Sequence, residues 1–91
     1  MNMKKHVGQV TLEEKNEIKH IFERRNGLNE LAKILDVENT ALYEKVVKDM
    51  GENSVNFQNW WDRMSLKYQW ESAEGGRWEI DFETGNIYLV D

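Results

Sequence analysis

The hydrophobic pattern changes period once, near residue 69, and that change divides the chain into a helical part and a sheet part. Between residues 77 and 83 the alternation is strict: Trp78, Ile80 and Phe82 fall on one face, Glu79, Asp81 and Glu83 on the other. A period of two marks a half-buried strand. Thr84-Gly85-Asn86 supplies a turn, and Ile87-Tyr88-Leu89-Val90 returns as the partner strand. Glu74-Gly75-Gly76 reads as a second turn, which leaves residues 69–72 as a short third strand. A lone hairpin is marginal in water, so the apolar face of this one must pack on helices.

Before residue 69 the period is helical. Thr11-Leu12-Glu13-Glu14 has the pattern of a capping box, with hydroxyl and carboxylate each accepting from the other residue's amide. Leu12, Ile18, Ile21, Phe22, Leu28, Leu31, Ala32 and Leu35 then recur at helical spacing. Asn26-Gly27 interrupts them and suits a left-handed cap, so the expectation is one helix over 12–26 and another over 28–35, with a single kinked helix as the other reading. Residues 36–40 look like a turn. A third helix follows with Leu42, Tyr43, Val46, Val47 and Met50 as its apolar face, and Gly51 stands where a helix commonly ends. A fourth, over about 54–68, carries Phe57, Trp60, Trp61, Met64 and Tyr68 on one side. Residues 6–10 read as a short strand or an ordered arm.

The expected fold class is therefore α+β: three or four short helices, followed by a C-terminal antiparallel β-hairpin or three-stranded sheet packed on them. With 91 residues the chain fits one domain, made of an arm or strand (1–10), a helical part (11–68) and a β part (69–91). There is no proline, no repeat and no linker-like stretch.

Composition narrows the function. No cysteine is present, which removes thiolate metal sites and a thiol nucleophile and points to a reducing compartment or a self-sufficient core. No apolar run approaches the length of a membrane span, and no signal peptide is visible, so the expected location is the cytoplasm. The net charge is −5, and residues 51–91 hold three basic against eight acidic side chains. Nucleic-acid binding needs clustered Lys and Arg, so a protein or basic peptide is the better partner.

Candidate chemistry is sparse. Glu17 and His20 form one half of a Glu-x-x-His metal motif without a second half, and no metal or cofactor is expected. No phosphate loop, nucleophile elbow or Ser/His/Asp grouping appears, and the chain reads as a non-enzyme. A helix-then-hairpin order also fits a winged helix, but the would-be wing carries Arg77 against three acids. Two features suit partner binding. Trp60 and Trp61 diverge by about 100° around a helix, so they bury unequally and one of them can face a partner. Glu79, Asp81 and Glu83 line one strand face, either as its solvated side or as an acidic surface for a basic segment.

Four segments carry a family likeness over nearly the whole chain. They are residues 27–35 (GLNELAKIL), 57–62 (FQNWWD), 68–71 (YQWE) and 78–84 (WEIDFET). They resemble the CXXX repeat peptide modification system proteins, small bacterial companions of a radical-SAM maturase and a cysteine-repeat precursor peptide. A cysteine-free member is neither that precursor nor the iron–sulfur enzyme. The resemblance implies an accessory module that recognises the precursor or docks on the maturase. The residues themselves suggest Trp60 or Trp61 as anchor and Glu79, Asp81 and Glu83 as the acids that steer basic residues. The alternative is a self-associating adaptor or small inhibitor, in its simplest form a homodimer.

Overall fold

The computed structural model describes residues 4–35 and 39–91, so most of the turn expected over 36–40 lies outside the described residues. The chain runs β1 (Lys4–Gln9), α1 (Leu12–Ile34), α2 (Thr40–Tyr68), β2 (Arg77–Ile80) and β3 (Asn86–Val90). The fold class is α+β, with two helices and a three-stranded antiparallel sheet among the described residues.

The expectation of three or four helices is corrected to two. Neither expected break occurs, because neither Gly27 nor Gly51 takes the left-handed backbone that ends a helix; the positive-φ glycines are Gly75 and Gly85. A glycine inside a helix costs about 1 kcal/mol relative to alanine, too little to stop a long amphipathic run. α2 stops instead at Gln69, whose φ of 51° makes it the left-handed cap and whose amide still donates to the Ser65 carbonyl at 2.9 Å.

The residues group into two compact units, Met1–Glu17 with Asp62–Asp91 and Ile18–Trp61. The first contains the sheet, in the order β1-β3-β2. β3 lies in the middle, pairing through Tyr88 with His6 on one side and Glu79 on the other. The third strand is thus the N-terminal segment, and residues 69–72 form no strand. Their bonding explains why: Glu71 accepts the Trp78 indole N–H on its carbonyl at 2.9 Å and the Lys5 ammonium on its carboxylate at 2.9 Å. The segment is tied to residues of both outer strands and joins neither. Trp70, within it, is buried against Gly8, where an added Cβ would stand 2.6 Å from the indole nitrogen. Glycine is required there for the ring to lie on the strand, beside a register shift between His6 and Gly8.

The β2–β3 connection lies two residues earlier than the expected turn. Residues 82–84 make the turn, and Gly85, at φ 78°, donates to the Asp81 carbonyl at 2.8 Å. The left-handed glycine closes the loop, and the register of β2 on β3 runs unbroken up to it. Val10, Met64, Trp70, Ile87, Leu89 and Val90 are the buried apolar side chains of this unit.

The second unit consists of the remainder of α1 and α2. They run antiparallel: Asn53, buried on α2, donates to the Ile21 carbonyl on α1 at 3.0 Å, and Arg24 lies 3.9 Å from Asp49. Ile18, Val46 and Trp60 are its buried apolar side chains.

Candidate binding surfaces

The capping box expected from the sequence is present and has become part of a larger cluster. The Thr11 amide donates to the Glu14 carboxylate at 2.9 Å, and the Glu14 amide donates to the Thr11 hydroxyl at 3.2 Å. From the end of α2, Lys67 donates to the same carboxylate at 2.6 Å, and the Tyr68 hydroxyl makes a short hydrogen bond to it. Burial pushes the Glu14 carboxyl up, but the hydrogen bonds from Lys67, Tyr68 and Thr11 outweigh it and lower its pKa to about 2. The partner groups respond in kind: the bond to Glu14 raises the pKa of Lys67 and that of Tyr68. General acid–base work needs a group that exchanges its proton near the working pH. Glu14 stays ionised and surrounded by donors at neutral pH, so its work is to join the two helix ends.

Glu79, Asp81 and Glu83 do not form one carboxylate row. β2 ends at Ile80, and the three side chains have separate surroundings. Glu79 lies 3.2 Å from Arg77 and 3.8 Å from Lys4. Asp81 accepts the amides of Glu83 and Thr84 at 2.8 and 3.3 Å, so its carboxylate shapes the turn. Glu83 is exposed within that turn. The strict alternation in the sequence runs past the point where the chain leaves the sheet. The solvent side of the sheet is completed by Tyr88, which has the His6 ring edge-on at 5.6 Å and the Lys4 ammonium 4.7 Å from its centroid.

The two adjacent tryptophans bury unequally. Trp60 is fully buried and Trp61 half-buried, with the rings edge to face at 4.9 Å. Phe57, one turn earlier, meets Trp61 at 6.5 Å in a similar geometry. Of the pair, Trp61 is the one with surface to offer, on a ring fixed from two sides.

No family model matches the chain, and neither a curated protein nor a solved structure matches it.

Two further features escape the sequence patterns. The outer edge of β2 is paired with no strand among the described residues. Asp81 donates its amide to Asn86 of the neighbouring chain segment at 2.9 Å. By the alternation of an antiparallel ladder, the amides of Trp78 and Ile80 then point away from β3. The second feature is apolar exposure on the helical unit, where Ile34 is 78% and Val47 48% accessible. Among the described residues no group of three His, Asp or Glu is placed to hold a metal ion, and no helix is long and apolar enough to cross a membrane. His20 is exposed beside an open groove with Ile21, Arg24, Asn53 and Asn56, while Glu17 accepts from Arg63 at 2.8 Å.

Proposed function

We propose that this protein is a non-catalytic, cytoplasmic accessory module that captures an extended, basic segment of a precursor peptide in a ribosomal-peptide modification system, for presentation to a radical-SAM maturase. The observation that carries this reading is the open edge of β2 within a strongly acidic unit. Met1–Glu17 and Asp62–Asp91 together hold six basic and ten acidic side chains. An open strand edge offers main-chain hydrogen bonds to an extended peptide, and the surrounding acids choose its charge. β1 presents the other open edge, but Lys4 and Lys5 on it repel a basic strand and discourage edge pairing. Glu83 and Glu74, both exposed, flank β2 in sequence and serve as the steering acids, with Glu79 held between Lys4 and Arg77. The assignment of the segment to a cysteine-repeat precursor rests on the family likeness of residues 27–35, 57–62, 68–71 and 78–84.

Hydrogen exchange on the full chain, with and without the genomically neighbouring precursor peptide, tests the reading. Strand addition slows exchange of the Trp78 and Ile80 amides selectively. Co-purification with the precursor or maturase, but with no protection at these amides, would keep the accessory role and remove β2 as its site. Failure to hold either protein would remove the role itself.

A further inference from the structure

We infer that the helical unit binds a phosphate group in a cleft between α1 and α2. The cleft has a volume of about 170 Å³ and is lined by Arg25 and Asn29 from α1 and by Met50, Asn53 and Ser54 from α2. Arg25 and Asn29 stand one helical step of four residues apart and share a face of α1, as Met50 and Ser54 share a face of α2. The pairing of the helices brings these faces together. The Asn53 side-chain N–H donates to the Ile21 carbonyl at 3.0 Å, and Arg25 and Met50 each lie about one turn from that bond on their own helix.

The polar groups of this cleft are the ones the fold leaves unused. Arg24, Arg63 and Arg77 lie 3.9, 2.8 and 3.2 Å from the carboxylates of Asp49, Glu17 and Glu79. Arg25, the remaining arginine, has no carboxylate partner among the described residues, and neither Asn29 nor Ser54 makes a side-chain hydrogen bond there. Asn53 is 4% accessible and spends one amide N–H on Ile21, which leaves its second. Among the described residues no acidic side chain lines the cleft. A single exposed arginine is ordinarily just solvated. Here a buried carboxamide and two further unpartnered donors border the same space, and that convergence points to a ligand.

The donor set selects the ligand's chemistry. Guanidinium, two carboxamides and a hydroxyl around one space without an acid suit an oxyanion. A guanidinium fork takes two oxygens of such an anion in parallel hydrogen bonds. A carboxylate has no oxygen beyond those, whereas a tetrahedral phosphate keeps others for Asn29, Asn53 and Ser54. Size agrees: at about 30 Å³ per water-sized group the cleft admits a phosphate and is too small for a whole nucleoside. Met50 adds an adaptable apolar wall, against which the first carbon of a phosphate ester can lie. The site belongs to α1 and α2 alone and does not depend on peptide capture at β2.

Side-chain NMR of the full chain, titrated with inorganic phosphate at constant ionic strength, tests this. The Arg25 Nε–H and the carboxamide signals of Asn29 and Asn53 should shift together and saturate, with a Kd on the order of 1 mM. Arg25→Gln should weaken binding about tenfold and Ser54→Ala about threefold, with the helical circular-dichroism signal retained. Glycerol phosphate in place of the free ion identifies the source: tighter binding means an esterified ligand resting on Met50, weaker binding the free ion. No saturable shift, or one that Arg25→Gln leaves unchanged, would overturn the inference. Acetate binding as tightly as phosphate would overturn the choice of a tetrahedral anion.

Discussion

Glu14 shows how one side chain can be set by two distant parts of the chain. Its capping role is local, but the Lys67 and Tyr68 donors come from the far end of α2. An unfolded Glu14 titrates near its ordinary value of 4.5, and the folded group near about 2. Protons therefore bind the unfolded chain first as pH falls. The stabilisation is whole above pH 4.5 and is lost as pH drops from there toward 2. Lys67 is exposed, so water screens the pair and the contribution is about 1 kcal/mol. Glu14→Gln keeps an acceptor for the Thr11 amide and removes the charge. Denaturant unfolding should find this variant about 1 kcal/mol less stable at pH 7, with the difference shrinking below pH 4.5. A difference that stays constant down to pH 2 would show that the carboxyl titrates as in the unfolded chain.

Among the secondary-structure elements, the continuity of the two helices decides most. α1 passes through Asn26-Gly27 and α2 through Gly51 without a break. Gly27 is exposed, has no positive φ and has nothing within 4 Å of an added Cβ. Gly27→Ala should therefore stabilise the protein by about 0.5–1 kcal/mol, raising Tm by roughly 3–6 °C. Had the chain turned at Gly27 in the left-handed region, the same substitution would lower Tm, so a thermal melt separates one helix from two. The continuity also hid from sequence reading that one side of α2 runs on from Tyr43 to Trp61. An expected stop at Gly51 splits Tyr43, Val47 and Met50 from Phe57 and Trp61, and the four-three spacing shows only when they share a helix. The capping box at Thr11 was legible because it depends on neighbours three residues apart. The strand alternation was legible too, but it overran: Asp81 continues the pattern in sequence while its carboxylate is engaged by turn amides.

Across the whole molecule, charge divides between the units, whereas exposed apolar side chains occur in both, Leu12 and Leu66 in the sheet-containing unit and Ile34 and Val55 in the helical one. The sequence locates the acidic excess in residues 51–91, but folding returns Met1–Glu17 to the sheet-containing unit and leaves Ile18–Trp61 nearly neutral. The proposed capture of a basic segment should then weaken as salt rises. Raising NaCl from about 50 to about 500 mM contracts the Debye length from roughly 14 to 4 Å. Peptide titration at the two salts reads the loss of affinity. An affinity indifferent to salt would remove the acidic side chains from the capture.

The sequence by itself determined whatever depends on short-range chemistry: the α+β class, the helical and extended periods, the Thr11–Glu14 cap and the unequal burial of two neighbouring tryptophans. The tertiary structure decided what depends on residues far apart in the chain. It brought β1 beside β3, placed Trp70 on Gly8 so that residues 69–72 form no strand, and divided three regularly spaced carboxylates among an ion-paired strand position, a turn and an exposed loop tip. It also carried both helices through their glycines, since a local cost of about 1 kcal/mol per glycine is small beside the burial gained by a continuous helix face. Periodicity reports which side of an element is apolar, and only the packed chain determines whether that side is covered by its own residues.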